Sequence, residues 1–296
     1  MSDTLQRFLF EQSHVRGELV QLEASWCATL EHHDYPEPVR QMLGQALVAA
    51  TLLAATMKFN GSITLQVRGD GPISLLVVDC SPQRQPDAEL PSYQVRGMAT
   101  WEGELSPGNL RSYFGNGQLA ITIDPGTGSK RYQGIVALDG ESLADAIDDY
   151  LERSEQLPTR MWLAVDGERA AGLLLQRLPG QGADEDWQRL SMLAGTIRDT
   201  ELLGLPSEQI LHRLFHEEDR RLYPPQPVAF HCHCSRERLA NALRSIGHAE
   251  VMDIVHEQGR VEAHCQFCNR RYEFDAVDAE QIFASELPVK GSDQLH

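Results

Sequence analysis

The stretch FHCHCSRERLANALRSIGHAEVMDIVHEQGRVEAHCQFCNRRYEF, from Phe230 to Phe274, holds four of the six cysteines in this chain of 296 residues. They form two close pairs, Cys232-x-Cys234 and Cys265-x-x-Cys268, with 30 residues between the pairs. Two such thiol pairs provide the number and type of ligands that a tetrahedral zinc site requires. The spacing alone leaves three interpretations open: a metal site, two disulfides, or redox-active thiols.

The side-chain directions expected before Ser235 favour cysteines over histidines as ligands. If this segment is extended, Cys232 and Cys234 lie on one side of the chain, and His231 and His233 lie on the other. A site in which a histidine replaces one cysteine remains an alternative. We predict one Zn²⁺ per chain, held by Cys232, Cys234, Cys265 and Cys268.

The residues around the cysteines predict a small folded module. SRERLANALRSIG is typical of a helix that begins at Ser235 and stops at Gly247, and RVEAHCQFCNRRYEF is typical of a hairpin. A module of this size buries little surface. Structural zinc contributes about 10–16 kcal/mol, whereas whole domains are stable by only about 5–15 kcal/mol. Loss of the metal should therefore unfold the module.

The same thiols could respond to oxidants. Zinc is held by thiolates, which are the oxidisable form of cysteine. Each cysteine has a partner two or three positions away, so a local disulfide would remove two ligands in one event. Arginines at 236, 238, 270 and 271 could favour the anionic form. The simpler alternative is a structural zinc ion that never leaves.

The composition excludes several classes of partner. The net charge of −17 opposes binding to nucleic acids and to anionic membranes. The longest apolar run, Ala46 to Met57, is too short to span a bilayer and predicts a buried helix. The N-terminal residues lack the features of a secretion signal, so we expect a cytoplasmic, reducing environment.

Cys27 and Cys80 lie singly in apolar runs and are predicted to be buried.

The pattern along the chain predicts an α+β fold in three parts. Residues 1–178 contain several strand candidates, including a hairpin around Arg68–Pro72, and single helices between them. Residues 179–230 are predicted to form a linker of two short amphipathic helices followed by a stiff, proline-rich lead, Tyr223–Phe230. Residues 231–296 form the zinc-binding module. The apolar positions of the linker are Trp187, Leu190, Leu193, Ile197, Ile210, Leu211, Leu214 and Phe215.

Several motifs together resemble the heat-shock protein 33 family of redox-regulated bacterial chaperones. They are the CxC…CxxC pattern followed by SRER, the terminal NRRYEF, and the stretches VRGELV, DYPEPV, GDGPISL, GNGQLAITI, RYQGIVAL and RSEQLPTR. The similarity extends over essentially the whole chain.

The resemblance implies an ATP-independent holdase with no enzymatic activity. In the reduced, zinc-bound form the protein would be an inactive monomer. Oxidation would form the disulfides Cys232–Cys234 and Cys265–Cys268, release zinc, unfold the module and destabilise the linker. The protein would then dimerise and bind unfolding client proteins, for which the eight apolar linker positions are the candidate surface. Permanent packing of these positions against residues 1–178 is the alternative.

Two other classes of function remain as alternatives. A zinc-ribbon protein could bind nucleic acid, but residues 231–275 carry six arginines and seven acidic residues and are not basic. A thiol oxidoreductase could use the CxxC motif, but such enzymes place it at a helix start after a strand. We therefore favour the chaperone.

Overall fold

The computed structural model describes residues 3–31, 33–57, 61–84, 90–126, 130–138, 140–180 and 182–284. The chain divides into two compact units, Met1–His231 and Cys232–His296. The segment 179–230 belongs to the first unit, and its separate role as a linker stays a prediction. Within the described residues, no helix is both long and apolar enough to cross a membrane.

The first unit is built around one sheet. Its strands are β1 (Thr4–Phe10), β2 (Val15–Leu22), β3 (Ser62–Arg68), β4 (Ile73–Gln83), β5 (Ser92–Trp101), β6 (Gln118–Asp124), β7 (Tyr132–Ala137), β8 (Thr159–Val165), β9 (Ala170–Arg177), β10 (Arg221–Leu222) and β11 (Gln226–Phe230). Their order is β7-β6-β3-β4-β5-β11-β1-β2-β9-β8, and β10 pairs with β1. Neighbouring strands are antiparallel except β5 and β11, which are parallel.

Seven helices accompany this sheet in the described residues. They are α1 (Ala24–Leu30), α2 (Glu37–Thr56), α3 (Leu110–Phe114), α4 (Leu143–Ser154), α5 (Asp184–Ala194), α6 (Asp199–Gly204) and α7 (Ser207–Phe215). The apolar run that ends at Met57 forms much of α2, which is buried along most of its length. Its small side chains allow the helix to lie close to the sheet, so the main core forms on this face.

A second core lies on the opposite face of β1, β2, β8 and β9. There α5, α6 and α7 pack on Phe8, Phe10, Val15 and Leu19, together with residues of β8 and β9. Gly17 lies directly opposite Phe8 in the pairing of β1 and β2. A Cβ at Gly17 would collide with the ring of Phe8, so only glycine leaves room for that ring at this position.

The second unit contains α8 (Arg236–Ile246), α9 (His248–Gln258), β12 (Val261–His264), β13 (Arg271–Phe274) and α10 (Ala276–Ala284). The strands β12 and β13 form an antiparallel pair. The described part of its core consists of Leu243, Val251, Val255, Val261, Phe274, Ala279 and Ile282. This core is small, as expected for a module of this length.

The structure confirms the predicted α+β class and corrects several details. The linker contains three helices rather than two, because α6 lies between the two predicted ones. The prediction of a stiff, proline-rich lead at Tyr223–Phe230 was wrong in part, since Gln226–Phe230 forms the strand β11 inside the sheet. Cys80 is buried as predicted, but Cys27 is exposed because it lies on the outer side of α1.

Candidate metal centre

The first cysteine pair follows β11 and precedes α8. Cys232 and Cys234 lie in the short irregular segment between these elements. The Oγ of Ser235 accepts a hydrogen bond of 3.2 Å from the backbone N–H of Arg238, which caps α8 as the sequence predicts. This cap fixes the end of the segment, and both cysteines lie just before the first residue of the helix.

The second pair lies in the turn of the hairpin between β12 and β13. The backbone N–H of Cys265 donates to the carbonyl oxygen of Arg270 at 3.0 Å, and the N–H of Asn269 donates to the carbonyl oxygen of Cys265 at 2.7 Å. Asn269 has a φ of 50°, a left-handed conformation that asparagine tolerates better than most residues. This closed turn holds Cys268 on the same side as Cys265. The CxxC motif is therefore not at a helix start.

The four sulfur atoms converge into one cluster, which we call the cysteine cluster (Cys232, Cys234, Cys265 and Cys268). All four Sγ atoms lie within 4.8 Å of one another. The Sγ–Sγ distance is 3.6 Å between Cys232 and Cys265 and 3.5 Å between Cys234 and Cys268. Ligands about 2.3 Å from a tetrahedral zinc ion would be separated by about 3.8 Å. A disulfide would require about 2.05 Å. The spacing thus fits a bound metal ion, and the cluster could hold one.

The protein environment makes the thiols of the cluster unequal. Burial alone would raise the pKa of Cys234, but hydrogen bonds from the Tyr272 hydroxyl and neighbouring thiols outweigh this and lower its pKa to about 7. Burial, together with hydrogen bonds to the other sulfurs, raises the pKa of Cys268 to about 12. Cys234 is therefore the member that this environment best prepares to be an anion.

Backbone groups also contact the sulfurs. The N–H of Cys234 is directed to the sulfur of Cys232, and the N–H of Arg270 is directed to the sulfur of Cys268. Such bonds stabilise thiolates without adding a charged side chain. Cys265 is buried, whereas the other three cysteines are only partly buried. Small oxidants therefore have access to most of the cluster.

The arginines near the cluster are mostly engaged with carboxylates. Arg236 forms an ion pair with Asp278 at 2.6 Å. Arg271 pairs with both Glu262 and Glu273. Arg270 differs, because its pKa is raised by a hydrogen bond with Tyr272 and by the charges of Cys234 and Cys268. The predicted electrostatic help from arginines therefore rests on Arg270 more than on Arg236 or Arg271.

Tyr272 is a member of the site that the sequence did not reveal. Its hydroxyl donates a hydrogen bond of 3.3 Å to the Sγ of Cys234. Tyr272 stands on β13, opposite Ala263 of β12, so the register of the hairpin brings it to the cluster. No spacing rule for metal ligands includes such a residue, and the register was needed to find it.

The eight apolar positions predicted to bind clients lie on the second core of the first unit. Leu190, Ile210, Leu211, Leu214 and Phe215 are buried there, and Trp187, Leu193 and Ile197 are partly buried against it. The ring of Phe215 lies 5.1 Å from that of Phe10 and 6.0 Å from that of Phe8. These residues are therefore covered in this conformation, and their contact with clients stays a prediction.

The first unit is a mixed sheet domain, and the second unit carries four cysteines whose sulfurs could hold a metal ion. Comparisons with known proteins identify the class of proteins that combines these two features. The family model described as Hsp33 protein matches residues 3–275. The "33 kDa chaperonin" of Methylobacillus flagellatus is 48% identical over 100% of this chain and 99% of its own length. That of Nitrosococcus oceani is 47% identical over 99% of both chains.

The chain belongs to the Hsp33 family. A solved structure also shares the fold: the 33 kDa chaperonin, or heat shock protein 33 homolog, of Thermotoga maritima. It matches with a TM-score of 0.77 and 23% identity, over 95% of this chain and 98% of that chain.

Proposed function

We propose that this protein is an ATP-independent holdase chaperone switched on by oxidation of the cysteine cluster. In the reduced state, Cys232, Cys234, Cys265 and Cys268 hold one Zn²⁺, and the protein does not bind clients. Oxidation forms the disulfides Cys232–Cys234 and Cys265–Cys268. The second unit then loses its metal and unfolds, and the linker helices leave the sheet. The protein acts as a binder of unfolded chains rather than as an enzyme.

The observation that carries this proposal is the convergence of four sulfurs in a unit with a small apolar core. Zinc bound there would supply about 10–16 kcal/mol of folding free energy. This equals or exceeds the stability of many whole domains, about 5–15 kcal/mol. A unit that depends so strongly on its metal unfolds when its ligands are oxidised. The Sγ distances of 3.5 Å and 3.6 Å favour zinc over preformed disulfides.

Zinc is favoured among metals by the ligand set. Four thiolates in a compact tetrahedral arrangement are typical of structural zinc sites. Carboxylates and carbonyl oxygens, which magnesium and calcium prefer, are not part of the described cluster. When bound, zinc would hold the thiols as thiolates, which are the form that oxidants attack.

Oxidation by hydrogen peroxide requires two neighbouring sulfurs and two protons from the solvent. Two neighbouring thiolates lose two electrons and form one S–S bond, and hydrogen peroxide gains those electrons as its O–O bond breaks, so that two protons from the solvent complete two water molecules. Sequence neighbours have the highest effective concentration once the unit loosens, which supports pairing within each motif.

The second core supports a binding role for the linker. The eight linker residues at positions 187–215 form one apolar layer against Phe8, Phe10 and other residues of the sheet. Release of α5–α7 would expose both the layer and the sheet beneath it. Large exposed apolar surfaces bind other chains, and exposure on this scale also favours the proposed homodimer. The names of the relatives, 33 kDa chaperonin, support the same role.

The chemistry of the site also limits where the protein can work. Reduced thiols persist in compartments kept reducing by thiol buffers, so we infer a cytoplasmic location. The net charge of −17 opposes a role in binding nucleic acid or anionic lipid. The CxxC turn between β12 and β13 lacks the helix start that activates the thiol of a CxxC oxidoreductase. These points favour the chaperone over both alternatives.

The direct test treats the zinc-loaded, reduced protein with hydrogen peroxide. Zinc release is measured with a chelating dye, disulfides by mass spectrometry, and holding activity by light scattering from a chemically unfolded client. We expect zinc release, both local disulfides and suppressed aggregation to develop together. If suppression is as strong before oxidation as after it, the proposed switch is wrong.

Single variants test the ligand assignment. Cys232→Ser should bind zinc at least about a thousandfold more weakly, because one of four ligands that together contribute about 10–16 kcal/mol is lost. Cys27→Ser is the matched control, since Cys27 is exposed and lies outside the cluster. Retention of zinc by Cys232→Ser with normal affinity would contradict the assignment.

A further inference from the structure

The strand β11 joins two halves of the large sheet. Its residues Val228–Phe230 pair in parallel with Tyr93–Val95 of β5, and Gln226 and Pro227 pair with Leu5 and Thr4 of β1. In the described strand order, β11 is the element between β5 and β1. Without it, strand pairing would no longer join β7-β6-β3-β4-β5 to β1-β2-β9-β8, and the edge of β5 and the Thr4–Leu5 end of β1 would be unpaired.

Backbone hydrogen bonds hold β11 in this slot. The N–H of Val228 donates to the carbonyl oxygen of Asp3 at 3.1 Å. Just beyond the strand, the N–H of His231 donates to the carbonyl oxygen of Val95 at 3.0 Å. Such bonds do not depend on the identity of the side chains, so the slot accepts an extended chain largely through its backbone.

The side chains of β11 alternate between buried and exposed. Val228 is buried in the main core, whereas Pro227 and Ala229 are exposed on the other side. Gln226 is also buried, but its Oε1 has no hydrogen-bond partner within the described structure. An unpaired buried oxygen destabilises the strand that carries it. The strand is thus paired on both edges, and Gln226 destabilises it there.

Release of β11 follows from its position in the chain. Only His231 separates Phe230 from Cys232, the first residue of the cysteine cluster. The residues before β11 belong to the linker that the proposed function releases. Unfolding of the flanking segments removes the structure that holds both ends of β11, so this five-residue strand can exchange with another extended segment that lacks the buried, unpaired Gln226 oxygen.

We propose that the slot vacated by β11 takes up an extended segment of an unfolded client, which joins the sheet as a strand between β5 and β1. This inference rests on the proposed function and names a surface for it. The occupant seen in the slot, an extended five-residue segment with alternate side chains buried, defines the chemistry of the client segment. Recognition through the backbone suits a chaperone that must hold many sequences.

Synthetic peptides provide the test. A fluorescent nonapeptide of alternating valine and threonine is compared with a peptide of the same sequence carrying N-methyl groups at every second residue. N-methylation removes the N–H groups on one edge and leaves the side chains unchanged. We expect the oxidised, zinc-free full-length protein to bind the first peptide at least about tenfold more tightly, and the reduced, zinc-loaded protein to bind neither. Equal binding of the two peptides by the oxidised protein would overturn the proposed mode.

Hydrogen exchange locates the binding site in the same samples. Exchange in the segments around Tyr93–Val95 and Thr4–Leu5 should rise on oxidation and fall again when the unmethylated peptide binds. If the protein suppresses client aggregation while these segments stay unprotected, the inference is wrong and the proposed function stands. If oxidation produces no holding activity at all, the proposed function fails first.

A variant of β11 provides an independent test. Gln226→Leu removes the unpaired oxygen and should hold β11 in place more firmly. Zinc release on oxidation should be unchanged, while the onset of holding activity should slow by about fivefold. Gln133→Leu, on the exposed part of β7, is the matched control. Unchanged onset in Gln226→Leu, or equal slowing in both variants, would contradict a role for β11 release.

Discussion

Individual side chains tune the cysteine cluster beyond its four ligands. The Tyr272 hydroxyl donates to Cys234 at 3.3 Å, and Arg270 contacts the same tyrosine. A hydrogen bond to a thiolate stabilises it and lowers its reactivity as a nucleophile. Tyr272 therefore acts as a restraint on the most anionic sulfur of the cluster.

Removal of this restraint should make the site easier to oxidise. In Tyr272→Phe, we expect zinc release under a fixed dose of peroxide to be roughly fivefold faster, because one hydrogen bond contributes about 1 kcal/mol. The rate is measured with a chelating dye. Tyr223→Phe, in the first unit, is the control. A Tyr272→Phe protein that releases zinc at the wild-type rate would show that this hydroxyl does not restrain Cys234.

A buried acid in the first unit makes its stability depend on pH. The Oδ2 of Asp148 accepts a hydrogen bond of 3.1 Å from the N–H of Met161, while Oδ1 is buried without a hydrogen-bond partner in the described structure. Burial raises the pKa of Asp148 to about 8, and the nearby Arg160 only partly opposes this. In the unfolded chain its pKa is about 3.9.

The sign of the pH effect follows from these two pKa values. Between about pH 4 and pH 8, the folded state keeps a proton that the unfolded state loses, so the free energy of unfolding decreases as pH rises. In Asp148→Asn this contribution disappears, and the variant should gain stability relative to wild type by up to about 1.4 kcal/mol per pH unit. Chemical denaturation of zinc-loaded proteins at several pH values measures the difference.

The neighbouring Asp149 is the control for this experiment. Asp149 is exposed on the same helix and forms an ion pair with Arg153 at 3.2 Å. Asp149→Asn should leave the pH dependence unchanged. A stability difference between Asp148→Asn and wild type that is constant from pH 5 to pH 8 would show that Asp148 does not titrate as inferred.

At the scale of elements, the helices α5–α7 and the sheet beneath them form a layer that can be loosened selectively. Gly17 leaves room for Phe8 on this face, whereas Gly172 leaves room for Val48 of α2 on the opposite face. The two glycines lie on neighbouring strands, so equivalent substitutions there test the two cores separately.

Gly17→Val should displace Phe8 and weaken the packing of α7 through Phe215. We expect a loss of about 1–3 kcal/mol, typical of overpacking, and partial holding activity without oxidation. Gly172→Val should destabilise the main core by a similar amount without this activity. Light scattering from a chemically unfolded client measures the activity. Equal activity in both variants would mean that general destabilisation, rather than release of the linker helices, exposes the binding surface.

The elements also show what the sequence could and could not predict. The hairpin of β3 and β4 was predictable, because its alternating apolar residues flank a clear turn. The strand β11 was not, because Pro224, Pro225 and Pro227 resemble an extended linker, and five residues carry too little alternation to outweigh them. The cysteine pairs predicted the cluster, whereas Tyr272 and the turn at Asn269 depended on the register of the hairpin.

At the scale of the whole molecule, the two units should respond differently to loss of metal. Chelation of zinc from the reduced protein should unfold α8, α9 and α10, because their shared core is small. The first unit should retain its main core, which does not include the cysteine cluster. Limited proteolysis should then digest residues 232–284 and leave a stable fragment that contains most of the main core. Continued protection of residues 232–284 after chelation would contradict the dependence on metal.

The order of strands also affects how the chain is made. Gln6 in β1 and Tyr223, which precedes β11, contact each other across 217 positions of sequence. At about 5–20 residues per second, the ribosome needs roughly 10–40 s to supply the second partner after the first has emerged. During synthesis, one edge of β1 therefore stays unpaired, so the nascent chain is itself prone to aggregation until its last sheet strand leaves the ribosome.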